Sequence, residues 1–497
     1  MKIEKVNESY SAIESDDKSV LMNISNYLKA ERSDIKFNKR IQYGLQDKYV
    51  YFTFYANNRL YVPNGLRFML EGYGISSLDE RSDFSEQEID DFLSSLKFPF
   101  EPYDYQLHNI KLALTYNKMV FKSCTGSGKS LTISTILEFF RQKKLKGVLI
   151  VPNINLLTQF KSDIESYGFD ELNKQIRLFG NGAFSEFDTC LTITTWQSLQ
   201  NVKKSNFDYI IVDEAHKTSA DVLKDIVLKS NKTKIKLGFT GTLPEDKVDR
   251  MTVLSLFGKP KTIITSRELI DRGLATPIKI KTIFLNYSDA DKDSFWKIPK
   301  ESFMKQLSFI ENKAERQNFI VKLTVKLHQK NTLVLFQHTE QGKDLFRRIL
   351  LELYPNLDIK ESDIVGKESF EFQKEHKVFF MNGEQNGKIR ELQRKQMEID
   401  DGVILIANYA ICSTGINIKN LHNLVFASPL KAFTTISQSL GRLMRKHKDK
   451  KESVIYDLVD DFGYKKHTGL FYNQYKHRLS SSYVPEEFEV EEKVYHF

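Results

Sequence analysis

The stretch Thr125-Gly126-Ser127-Gly128-Lys129-Ser130 decides how the chain is read. A short apolar run, Met119 to Phe121, leads into it, and an apolar helical pattern, Leu131 to Phe140, follows without Gly or Pro. The segment therefore reads as strand, tight loop, helix. Two glycines let the backbone curl so that its N–H groups face a triphosphate, and the helix N-terminus adds positive potential there. Lys129 can reach the outer phosphates and Ser130 can ligate Mg²⁺. The full phosphate-loop pattern asks for Gly where Ser123 stands. An ordinary Gly/Ser turn is the competing reading of the six residues taken alone.

Downstream, Tyr209-Ile210-Ile211-Val212 is a buried-strand run ending in Asp213-Glu214. Two carboxylates at a strand end are costly unless something positive meets them. A Mg²⁺ held on a triphosphate meets that need, with Asp213 coordinating the ion and Glu214 orienting and deprotonating an attacking water. An acidic strand-ending turn is the plainer alternative. The phosphate loop upstream makes it the weaker one.

Chain length and composition are those of an ordinary multidomain protein: 497 residues allow about three domains. A net charge of +8 permits a polyanionic partner without demanding one. Cys124, Cys190 and Cys412 are far apart, which argues against a zinc site or disulfide framework and for a reducing compartment. No apolar run reaches membrane-spanning length, and the N-terminus is too acidic and polar for a signal peptide. A cytoplasmic protein with no membrane partner is expected, a monomer sufficing.

Residues 1–95 form the first expected domain. From Ile35 to Leu66 aromatic and aliphatic residues come thickly, with a turn at Asn57-Asn58, which predicts a hairpin or small meander. Lys39 and Arg40 beside it could contact nucleic acid. Leu78 to Asp91 reads as a linker running into a short helix. From Pro99 short strands alternate with amphipathic helices: Met119 to Phe121, Gly147 to Val151, Leu191 to Thr194, Tyr209 to Val212 and Ile235 to Phe239. That is the grammar of a parallel α/β sheet, whose ligands bind at the carboxyl ends of strands. After a break near Arg272-Gly273 the pattern resumes at Thr332 to Phe336, Val403 to Ala407, Leu424 to Phe426 and Val454 to Leu458, with a helix over Asn312 to Gln329 opening the second core. The expected boundaries are 96–273 and 274–460 for two tandem sheet domains and 461–497 for a C-terminal extension. Arg445 to Lys451 and Glu486 to Glu492 read as solvated surface. Asp461-Phe462-Gly463 copies a kinase triplet but lacks the kinase catalytic loop before it.

Asp213-Glu214-Ala215-His216 spells DEAH, and Gln438-Ser439-Leu440-Gly441-Arg442-Leu443-Met444-Arg445 fits the QxxGRxxR motif. In both, the chain resembles the superfamily 2 helicases and translocases. The resemblance implies two RecA-like domains that clamp one ATP, the second supplying Arg442 and Arg445 to the transferring phosphoryl and Gln438 to the nucleotide or water. A guanidinium fork suits that charge. Gln106 stands where the family places an adenine-reading Gln. Pro152 and Gln159, then Thr195 and Gln197, match nucleic-acid motifs, as do Thr414 and Gly415 within Ser413-Thr414-Gly415-Ile416-Asn417, where Asn417 replaces the more frequent Asp. Thr240-Gly241-Thr242 stands where the family usually has Ser/Thr-Ala-Thr, coupling the ATP site to the track.

Phe37-Asn38-Lys39-Arg40-Ile41-Gln42-Tyr43-Gly44, Pro63-Asn64-Gly65-Leu66 and Leu443-Met444-Arg445-Lys446-His447 are similar to the UvsW-type recombination helicases of tailed phages. That resemblance implies an ATP- and Mg²⁺-dependent DNA motor that remodels forks, Holliday junctions and R-loops, acting on branched duplex, single strands and RNA–DNA hybrids. It places the motor in the host-cell cytoplasm and implies that the small α+β leading domain helps grip duplex DNA. An RNA helicase, a restriction-system motor and a non-hydrolysing binding module with a relic ATP site are the alternatives.

Overall fold

The computed structural model describes residues 1–35, 38–77, 80–179, 191–199, 207–219, 221–299, 302–365, 369–411, 418–430, 441, 443–448, 450–464 and 468–497. They form two compact units, Met1–Ile264 and Thr265–Phe497.

In the first unit seven parallel strands lie in the order Pro260–Ile264, Lys118–Ser123, Ile235–Thr240, Tyr209–Asp213, Gly147–Val151, Leu191–Thr195, Ile176–Phe179. The central strands are buried at nearly every position because both faces are covered. Phe121, Leu149, Ile211 and Leu237 point to one core, where the helices Lys129–Gln142 and Ile154–Ser166 pack. Their neighbours Val120, Val148, Ile150 and Ile210 point to the other.

That second core holds Ile13, Leu60, Val62, Leu66 and Leu70 from the N-terminal region. The N-terminal four-stranded antiparallel sheet runs Lys2–Lys5, Tyr10–Glu14, Arg59–Pro63, Phe54–Ala56. Its hairpin turns at Asn57 and Asn58, both left-handed with φ of 50° and 59°, as a two-residue turn between right-twisted strands requires. The expected separate domain over 1–95 thus shares a core with the first parallel sheet, and Ile89 and Phe92 of the helix Glu86–Ser95 join the opposite one. A polar weld reinforces the apolar one. Buried Lys118 pairs with Glu8 (3.2 Å) and Glu80 (3.1 Å), and Lys236 Nζ donates to Ser9 Oγ and to the Val227 carbonyl, each at 3.0 Å.

The second unit is also a seven-stranded parallel sheet, ordered Val378–Met381, Ile404–Asn408, Thr332–Phe336, Asn423–Phe426, Ser453–Asp461, Ile278–Asn286, Glu489–His496. The expected extension 461–497 is part of this domain: its last strand pairs with Ile278–Asn286. The division between units falls eight residues or so before Gly273, which sits at φ 65° just past the helix Ser266–Asp271. Two buried ion pairs brace the sheet, Arg316 with Asp460 and Arg478 with Asp457, and Tyr287 and Tyr483 donate to the same carboxylates. Removing one partner of such a pair costs about 3–5 kcal/mol because the other charge stays buried. Phe462, of the kinase-like triplet, stacks between Tyr287 and Phe295 in the core. The basic run Arg445 to Lys451 is not all solvated either: Lys450 is buried and donates to the carbonyls of Lys419, Leu421 and Leu443. Burial pushes its ammonium down to about 8.

Candidate active site

The strand Lys118–Ser123 delivers the chain to the loop at the carboxyl edge of the first sheet, and the helix Lys129–Gln142 takes it away. Gly126 (φ 87°) and Gly128 (φ 85°) are both left-handed, which the loop's curl requires. At Gly128 there is a second reason: a Cβ would lie 2.2 Å from Gln106 Nε2. Gln106 and Tyr105 converge on one atom, the Ser127 carbonyl, which accepts from Gln106 Nε2 at 3.0 Å and from Tyr105 Oη at 2.9 Å. Gln106 Oε1 accepts from the Tyr103 N–H. The side chain assigned to adenine therefore braces the loop. Lys129 Nζ donates to the carbonyls of Ser123 (3.1 Å) and Cys124 (3.4 Å), so it lies back along the loop. The Tyr167 hydroxyl is pushed up chiefly by burial, with Ser130 acting against the shift.

Beside the loop, the strand Tyr209–Asp213 ends at the two carboxylates. Glu214 is left-handed at φ 53°, a strained setting for a non-glycine residue that turns its side chain off the strand. Asp213 Oδ1 is buried without a hydrogen-bond partner among the described residues. Burial, then the charge of Glu214, pushes the Asp213 carboxyl up, against the pull of Lys129. Burial acts the same way on Glu214, but the hydrogen bond from His216 and the charges of Lys129, His216 and Lys217 prevail and hold it below the usual range. The two neighbouring carboxylates are thus pushed in opposite directions. An oxygen-seeking divalent ion that keeps its remaining positions for phosphates and water fits that donor set, with Asp213 and Ser130 as the side chains that could hold it.

From Glu214 a polar chain runs on. His216 Nδ1 lies 3.2 Å from Glu214 Oε2 and 2.9 Å from Thr240 Oγ1, and Thr240 Oγ1 donates to the Thr242 carbonyl at 2.7 Å. Gly241 closes the circuit, since a Cβ on it would stand 3.7 Å from Thr125 Oγ1 and 3.9 Å from Lys129 Nζ. Thr240-Gly241-Thr242 therefore touches both the DEAH turn and the phosphate loop.

The remaining assigned residues divide. Pro152 follows and Thr195 ends adjacent paired strands at the same carboxyl edge, Thr195 standing opposite Val151. Thr195 is buried with its hydroxyl on Ser198, whereas Gln159 and Gln197 are exposed. Lys39 and Arg40 are exposed on the helix Lys39–Gln42 of the N-terminal region. Arg445 lies in the second unit, its carbonyl accepting from Thr276 Oγ1 at 3.1 Å. Thr414, Gly415, Gln438 and Arg442 lie outside the described residues. Sequence reasoning missed Tyr105 as a brace; the aromatic Tyr103-Asp104-Tyr105-Gln106 run before the loop was the available signal.

The family described as type III restriction enzyme, res subunit, matches residues 89–245, the span that carries both the phosphate loop and the DEAH turn. Over nearly its whole length the chain is similar to the ATP-dependent DNA helicase uvsW of Enterobacteria phage T4, at 27% identity covering 93% of this chain and 91% of that protein. The chain is an ATP-dependent helicase. Solved structures agree on the architecture. The chain matches the DNA-bound type ISP restriction-modification enzyme LlaBIII with a TM-score of 0.57 at 16% identity, covering 80% of this chain and 32% of that one. It matches S. cerevisiae Dbp5, bound to RNA and ADP BeF3, with a TM-score of 0.51 at 12% identity, covering 82% and 93%. At those identities the likeness is one of fold: tandem RecA-like sheets. Among the described residues no helix is long and apolar enough to cross a membrane.

Proposed function

We propose that this ATP-dependent helicase works on DNA, unwinding or branch-migrating forks, Holliday junctions and R-loops in recombination, repair and replication. The observation that carries the reading is the polar chain from Asp213 and Glu214 through His216 to Thr240, set against Lys129 and the phosphate loop, in a chain similar end to end to a phage DNA helicase.

In this mechanism Lys129 leaves the loop carbonyls for the outer phosphates of ATP, and the N–H groups after Gly126 hold the rest. Ser130 and Asp213 would hold Mg²⁺, which would supply charge neutralisation at the phosphates. Glu214, ionised and fixed by His216, orients the attacking water and takes its proton. His216 and Thr240 carry the change at Glu214 to Thr242 and the carboxyl edge, where Pro152, Gln159, Thr195 and Gln197 are assigned to the DNA backbone. Backbone contacts make the motor largely blind to base sequence and its binding salt-sensitive. The roles of Gln438, Arg442, Arg445, Thr414 and Gly415 rest on the family resemblance, and Gln106 is assigned to ATP through the loop it braces.

The family description favours a second reading, the DNA-translocating motor of a restriction system. Incubating the protein with ATP and a synthetic four-way DNA junction separates the two. Conversion of the junction into its paired products, lost in Lys129→Ala, supports the helicase. An untouched junction together with ATP-dependent displacement of a triplex-forming strand from linear duplex supports the translocase.

A further inference from the structure

Outside the ATP site, the N-terminal region carries a small ribbon, Lys29–Glu31 paired antiparallel with Tyr49–Tyr51. Its inner face, Ala30 and Val50, packs into the core beneath. Its outer face is open. Lys29 stands opposite Tyr51 in register, and its ammonium lies 4.4 Å from the centre of the Tyr49 ring and 5.6 Å from that of Tyr51. Lys48 approaches the Tyr49 ring at 5.0 Å. Tyr51 is 43% exposed, and nearby in sequence Tyr43 is 74% exposed beyond Arg40. Tyr49, half-exposed, and Tyr51 share one strand face, and a lysine lies over each ring.

We infer that this outer face is a stacking platform for unpaired DNA bases, which deepens the DNA reading above and rests on it. Base–aromatic stacking is tolerant of sequence because every base presents a π face, and the lysine stems are long enough to leave the rings for backbone phosphates as a base arrives. A duplex offers the rings no base face, since its bases are stacked on one another inside. Glu31, across from Tyr49, limits the basic patch at the ribbon's far end. The occupant is thus a single strand exposed at a branch.

The test is photo-crosslinking of the full-length protein to a 5-iododeoxyuridine-substituted oligothymidine, with the same label in a blunt duplex and in oligouridine RNA. Trypsin releases Tyr49 to Arg59 as one peptide, and fragmentation locates the adduct within it. Adducts at Tyr49 or Tyr51 with the single DNA strand, and at least about tenfold fewer with the duplex, are expected. In parallel, Tyr49→Ala with Tyr51→Ala should weaken single-strand affinity on the order of tenfold while leaving duplex affinity and the melting temperature unchanged, and Tyr51→Trp should retain binding. Adducts confined to other peptides, equal yields on the duplex, or stronger capture of RNA than of DNA would each overturn the platform. Its failure is distinguishable from failure of the DNA reading: in the first case DNA still stimulates ATP hydrolysis, in the second it does not.

Discussion

Asp213 illustrates how a single residue stores readiness for a ligand. Its buried, unpartnered oxygen and raised carboxyl mean that ionising it costs folding free energy until a cation arrives. The folded state binds that proton more tightly than the unfolded chain, so this contribution to stability falls as pH rises from the ordinary carboxylate range through the raised value. Asp213→Asn should therefore raise the melting temperature of the nucleotide-free protein at pH 8 more than at pH 5, while cutting DNA-stimulated ATP hydrolysis at least about a hundredfold. A melting temperature unchanged or lowered at pH 8 would show that burial does not strain this carboxylate. Gly241 makes the opposite point. The family's usual Ala would bring a Cβ to 3.7–3.9 Å from its neighbours, ordinary contact, and the backbone there is not left-handed. Gly241→Ala should hold stability and ATP turnover within about twofold. A tenfold loss in steady-state turnover would mean that the loop needs the space.

At the scale of elements, the N-terminal region is fastened to the motor sheet by close packing at Gly65. A Cβ there would stand 2.3 Å from the Leu254 carbonyl oxygen at the end of the helix Lys247–Phe257, whereas one on Gly72, in the same short helix Asn64–Tyr73, would meet nothing within 4 Å. Gly65→Ala should cost about 1–3 kcal/mol in denaturant unfolding and Gly72→Ala much less. Equal effects would refute the weld. The Pro63-Asn64-Gly65-Leu66 signature was visible in the chain, but its purpose was not, because the atoms it approaches lie nearly two hundred residues away. Strands were legible where both faces are buried, as in Gly147–Val151, since burial writes a continuous apolar run. Ile176–Phe179, Pro260–Ile264 and Glu489–His496 were not legible: each is an edge strand, half exposed, and carries Arg, Lys or Glu. In the site, the loop and the DEAH turn were readable because catalytic spacing is local. The brace of Tyr105 and Gln106 on Ser127 was not, because it depends on which way a helix faces.

At the scale of the whole molecule, the first unit of this ATP-dependent helicase joins the phosphate-loop edge and the N-terminal region through shared cores into one folded body. Similarity to a phage DNA helicase along the whole chain makes DNA, rather than RNA, the track to be tested. The measurement that decides is ATP hydrolysis by the purified protein without nucleic acid, with single-stranded DNA, with a four-way DNA junction and with RNA of matched length. The account predicts strong stimulation by DNA, greatest with the junction, and little with RNA. Stimulation by RNA alone, or no hydrolysis under any of these conditions, would contradict it.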